Sequence, residues 1–155
     1  MIAPTVIKVL LPLVVSWVEE QEGNILREGV PLTGQLVQDA RRIGIKHPEN
    51  VRLRVVPEIP MPTHTVLHSV AQKLGFLSQY TAGLTLQYGI YIRADCWGER
   101  RLVVHELAHV AQYERFGGTR PFLEQYLHEC LTVGYPYGDL EQEAKRIEQE
   151  ICGGS

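Results

Sequence analysis

Five consecutive residues, His105-Glu106-Leu107-Ala108-His109, constrain this chain more than any other feature. Residues four apart on an α-helix lie about 40° apart around its axis and one turn up the same face, so two imidazoles can grip one ion. Glu106 projects close to that face and can hold an ion-polarised water rather than the ion. Counted around a helix, His105, Glu106, His109 and Tyr113 span about 100° of arc. Val104, Leu107, Ala108 and Ala111 fall on the opposite side. The segment is therefore expected to be a helix with chemistry on one face and core on the other. Shuffling this composition produces roughly 0.02 HExxH matches. The competing reading is two partly wet histidines beside a solvated glutamate.

Composition bounds the rest. A chain of 155 residues with 45% apolar and 21% charged residues is expected to form a single globular domain, without a disulfide scaffold. A net charge of −3 argues against nucleic-acid binding through bulk positive potential. Cys96, Cys130 and Cys152 form no CxxC pair, which fits reduced thiols in a cytoplasmic protein. Val6 to Val18 is strongly apolar, yet it contains Lys8 and Pro12 and is too short to span a bilayer. Its charge falls inside the run rather than before it, unlike a signal peptide. We expect a buried first helix and no membrane partner; nothing in the sequence sets an oligomeric state.

Periodicity predicts an α+β fold, mostly helical with a small few-stranded sheet. Val6 to Leu26 reads as helix, apolar all round and ending near Gly29. Leu32 to Ile43 is an amphipathic helix stopped at Gly44, and Val51 to Val56 alternates as a short strand. Pro57, Pro60 and Pro62 force an irregular connection, after which Thr63 can cap a helix to about Leu77. Leu84 to Arg93 reads as one strand. Glu99 to Phe116 is a helix stopped by Gly117-Gly118, and Pro121 to Val133 another, stopped by Gly134. The last helix runs from Leu140 to Ile151, with Asp139 as N-cap and Gln142 as its capping-box partner.

A catalytic zinc site needs three protein ligands and an open position, so a third ligand must accompany His105 and His109. The metzincin pattern is excluded, because Gln112 and Arg115 stand where its glycine and third histidine would be. Downstream candidates are His128, Cys130, Asp139, Glu141 and Glu143. The run from His105 to Gly118, a further helix, and then Asp139-Leu140-Glu141-Gln142-Glu143-Ala144 resembles a minimal gluzincin metallopeptidase. In that group a glutamate on a later helix, within an E-x-x-A pattern, completes the zinc site. The resemblance implies Glu141 as the ligand with Ala144 packing toward the metal helix, although Lys145 stands where the pattern often has Asp. Helical geometry by itself leaves Glu141 and Glu143 open, since both flank the apolar stripe of Leu140, Ala144, Ile147 and Ile151.

The expected activity is hydrolysis of a peptide or protein substrate at zinc, with Glu106 as general base. The resemblance also suggests that the strand from Leu84 to Ile92 binds extended substrate along its edge, against the plainer reading of a core strand. Tyr88, Tyr91, Tyr135, Tyr137 and Arg93 are candidates for stabilising an oxyanion. His64 and His68, four apart but without a partner pattern, are expected to be packing or exposed residues. Arg41-Arg42 and Arg100-Arg101 are expected on solvated helix faces. At this size there is no room for a second lobe to wall a cleft. The main alternatives are a zinc-holding interaction module without turnover and an interaction domain without metal.

Overall fold

The computed structural model of the chain describes residues 4–75 and 77–153. Its elements run α1 (Pro4–Glu28), β1 (Val30–Pro31), α2 (Gln35–Ile43), β2 (Arg52–Val56), α3 (Thr65–Leu74), β3 (Gly83–Leu86), β4 (Gly89–Arg93), α4 (Arg100–Phe116), α5 (Thr119–Thr132) and α6 (Asp139–Cys152). Single 3₁₀ turns occupy Pro48–Asn50 and Ala94–Cys96. This is the mostly helical α+β architecture expected from the periodicity. No helix among the described residues is long and apolar enough to cross a membrane. The three cysteines are free thiols.

The sheet has the order β1-β2-β4-β3. β2 and β4 run parallel from Arg52↔Gly89 to Val56↔Arg93, while β3 lies antiparallel to β4 at one edge of the sheet and β1 forms the other. The period-2 alternation of β4 divides the interior in two. Tyr91 enters a core with Ile7, Leu11 and Val18 of α1 and Phe122 and Leu127 of α5. Ile90 and Ile92 enter the other, with Leu53 of β2, Ala40 of α2 and Val103, Leu107 and Val110 of α4. Both isoleucines are fully buried, and truncating either to alanine is expected to cost about 2–5 kcal/mol. α4 thus lies with one face sealed against the sheet, which fixes where its histidines can point.

Several boundaries differ from the sequence reading for identifiable reasons. Leu84 to Arg93 is a hairpin rather than one strand, turning at Gln87-Tyr88, where Gln87 adopts φ 60° in place of the usual glycine. α1 is not buried all round: Ile7, Leu10, Leu11, Val18 and Ile25 face inward, whereas Val6, Val9, Leu13 and Leu26 are exposed. α3 starts after His64, not Thr63, because the His64 Nδ1 accepts from the Leu67 N–H at 3.4 Å. It ends at Gly75, short of Leu77. At α6 the N-cap is Gly138, with no side-chain cap from the neighbouring Asp139.

Candidate metal centre

The side chain that holds the start of α6 comes from α5. Glu129 is buried, and its Oε1 accepts from the Leu140 N–H at 2.9 Å while Gln125 donates to its other oxygen at 2.8 Å. A carboxylate at this end of a helix meets both an unsatisfied N–H and the positive end of the macrodipole. Gly138 makes the approach possible, since a Cβ there would sit 2.8 Å from Glu129. The anchored first turn packs on α4 and turns Glu141 toward it.

Glu141 meets both histidines. Its Oε1 lies 3.0 Å from His105 Nε2 and its Oε2 3.0 Å from His109 Nε2. One donor atom from each of these three side chains lies within 4.8 Å of the others. Among the described residues this is the one group of three or more histidine, cysteine or acidic side chains that could hold a metal. Tyr126 of α5 donates its hydroxyl to Glu141 Oε2 at 2.7 Å.

The outer nitrogens are held as well. His109 Nδ1 lies 2.7 Å from Gln112 Oε1, and His105 Nδ1 lies 3.3 Å from Glu148 Oε1. The Gln112 amide cannot be reversed without losing partners, because its nitrogen donates to the Leu140 carbonyl at 2.9 Å and to Glu143 Oε1 at 2.8 Å. Gln112 and Glu148 therefore accept, each Nδ1 carries the hydrogen, and a neutral imidazole presents its Nε2 lone pair to the cluster. Two Nε2 lone pairs and a carboxylate are a donor set that fits zinc. Without a cation, the same contacts need protons. Burial opposes a charged imidazole, but the Glu141 carboxylate outweighs it, raising His105 and pushing His109 up to about 9. Burial likewise opposes the Glu141 charge, and the two imidazoles override it, holding its carboxyl well below the usual range.

Of the third-ligand candidates, the structure brings only Glu141 to the histidines. Glu143 points into the Gln112 amide and pairs with Arg115 at 3.0 Å. His128 and Asp139 are exposed, and Cys130 is a buried thiol outside the donor group, raised by burial to about 12. Glu106 is buried but stands apart from the donor group, its Oε1 accepting from the Thr85 hydroxyl at 2.7 Å. Gly83 lies so close that a Cβ would come within 3.1 Å of the Glu106 Cγ. His64 caps the start of α3, and His68 Nδ1 lies 3.3 Å from the Pro62 carbonyl oxygen.

A cavity of about 520 Å³ opens beside His105, Glu106, His109 and Glu141. Its remaining walls come from α1, α3, α5 and β3. β3 borders it from the sheet edge. The Ala82–Arg93 hydrogen bond sets the hairpin phase, turning the backbone groups of Gly83 and Thr85 away from β4. Among the oxyanion candidates only Tyr135 lines this cavity. Tyr88 donates to Glu114, Tyr91 donates to Gln21, Arg93 pairs with Asp95, and Tyr137 is exposed.

Sequence reasoning missed Tyr126, Gln112, Glu148 and Thr85 as parts of this site. None carries a local signal, and Gln112 registered only as the residue that breaks another motif. Arg100 and Arg101 are also more than a solvated face. Arg100 forms a two-pronged pair with buried Asp39, and Arg101 pairs with Glu148 at 3.0 Å. Searches among known protein families, curated proteins and solved structures find no match to this chain.

Proposed function

We propose that the protein is a zinc-dependent metallopeptidase of the gluzincin type, in which His105, His109 and Glu141 hold the metal and Glu106 is the general base. The observation that carries this reading is the division of labour on one cavity wall. Two Nε2 atoms and Glu141 converge, while Glu106 stands outside the donor group and faces the same cavity. Bound zinc supplies a Lewis acid and brings the acidity of a water toward neutrality.

The protein's own groups do the rest. Glu106 takes a proton from the attacking water and returns it to the leaving amide nitrogen. Thr85 fixes the carboxylate that performs both transfers. The outward backbone of Gly83 can pair with an extended peptide, and Tyr135, which lines the same cavity, is the donor we assign to a developing oxyanion. The free thiols suit the cytoplasmic setting we assign to it.

The test is zinc content and peptide hydrolysis measured together. Glu106→Gln is expected to keep zinc and lose hydrolysis, and His109→Ala to lose both. Hydrolysis retained in Glu106→Gln would sink the mechanism. Stoichiometric zinc with no turnover of any peptide in a random library would leave the metal a structural role.

A further inference from the structure

The cavity is larger and more apolar than the attack of water on one amide requires. At about 520 Å³ it exceeds three times the roughly 150 Å³ of a cavity that takes up benzene. Away from the candidate metal centre its walls include Val14 and Trp17 of α1, Leu67 and Val70 of α3, and Leu123 and Leu127 of α5. None of these six side chains carries a charge. The acids lining the cavity, Glu106, Glu141 and Glu148, all belong to the centre or hold its histidines. These six side chains offer dispersion contacts and, apart from the Trp17 N–H, no partner for a buried polar group.

Resting on the metallopeptidase reading, we propose that the cavity takes two or more adjacent bulky apolar side chains of one extended segment. The substrate class is then peptide stretches that folded proteins bury, which become available when a protein unfolds. The occupant is a peptide rather than an acyl chain because β3 forms part of the same wall. Gly83 there turns its N–H and C=O away from β4, a donor and acceptor pair that an extended backbone matches and a hydrocarbon chain does not.

The experiment compares zinc-loaded protein on three octapeptides of glycine and serine carrying Leu-Phe, Leu-Gly or Gly-Gly at the centre. In parallel, fluorescein-labelled forms of the same peptides are bound to Glu106→Gln and followed by anisotropy. Each bulky residue is expected to raise kcat/KM and binding about 10-fold. Val14→Trp and, independently, Ala71→Leu, at a second lining residue on α3, fill the cavity and are expected to lower the ratio of Leu-Phe to Gly-Gly.

Equal rates and equal binding across the three peptides would overturn the cavity assignment while leaving the peptidase reading intact. A ratio unchanged in both filled variants would overturn it too, as would dodecanoate binding with no preference among peptides. Graded binding without any hydrolysis would support the cavity assignment and remove the peptidase reading.

Discussion

Gln112 Oε1 lies 2.7 Å from His109 Nδ1, and the nitrogen of the same amide reaches the Leu140 carbonyl at 2.9 Å. One fully buried side chain on α4 thus sets the tautomer of a histidine and ties its helix to the one that carries Glu141. Gln112→Met keeps the volume and removes both roles. Zinc affinity is expected to fall about 10–100-fold, as when other partners behind a metal ligand are lost. Stability is expected to fall by about 1–3 kcal/mol, because Glu143 and the Leu140 carbonyl lose a donor. Competition against a chromophoric chelator and urea unfolding read the two effects separately.

Glu141→Ala and Glu143→Ala should behave differently although the residues are two apart. Glu141 touches both imidazoles, whereas Glu143 reaches only the Gln112 amide and Arg115. Loss of Glu141 is expected to weaken zinc binding beyond about 100-fold, and loss of Glu143 to remain within the 10–100-fold range of an outer partner. Equal losses in the chelator competition would contradict the assignment of the third ligand.

Thr85→Val removes the hydroxyl that donates to Glu106 while keeping a β-branched side chain in the strand. We expect zinc content unchanged and kcat lowered about 10-fold, equivalent to about 1.4 kcal/mol of lost orientation. A fall in zinc content with kcat per bound zinc preserved would place Thr85 in metal retention instead.

The protein stripped of metal should lose stability as pH rises. His109 in the folded protein sits at about 9, above its ordinary 6.5, because Glu141 favours the charged ring. A raised value contributes stability that is complete below pH 6.5 and gone above pH 9, here roughly 3 kcal/mol. Zinc-loaded protein should show no such decline, since its imidazoles bind as neutral ligands and proton competition weakens with pH. Urea unfolding of chelator-treated wild type and His109→Gln at pH 6 and pH 9.5 isolates the effect. A stability difference between them that widens toward pH 9.5 would refute it.

Arg100→Met should destabilise the fold away from the cavity. Asp39 is fully buried and receives two hydrogen bonds from Arg100, at 2.7 and 2.9 Å, and one from Gln35 at 3.0 Å. The Arg100 hydrogen bonds hold its carboxyl below the usual range. Breaking the pair is expected to lower stability at pH 7, by less than a fully buried pair would lose, because the Arg100 side chain is partly exposed. Because the folded value is depressed, this contribution is present above pH 3.8 and disappears as pH falls below it. The gap between wild type and Arg100→Met in urea unfolding should therefore close in acid.

What was legible in the sequence was local. The HExxH helix announced both its register and its polar face, and Gly117, at φ 91°, ended it where expected. Glu141 came from a resemblance, and the structure places it rather than Glu143 against the histidines. The remaining features are set by contacts between distant parts of the chain. The brace at the start of α6 is Glu129 of α5, so Asp139 looked like the cap only because it was adjacent. The turn between β3 and β4 places Gln87 in a conformation that no glycine advertised. The apolar cavity is formed where α1, α3 and α5 meet beside β3, elements far apart in the chain, and none of these helices carries a motif that announces it.

The donor group is also divided in time. Two of its side chains are neighbours on α4, and the third arrives on α6, 36 residues beyond the first. During synthesis the paired imidazoles can emerge complete while their cluster is still one ligand short. On the metal reading, capture by all three donors therefore has to await docking of α6 on α4, so a retained ion would report that this one interhelical contact has formed.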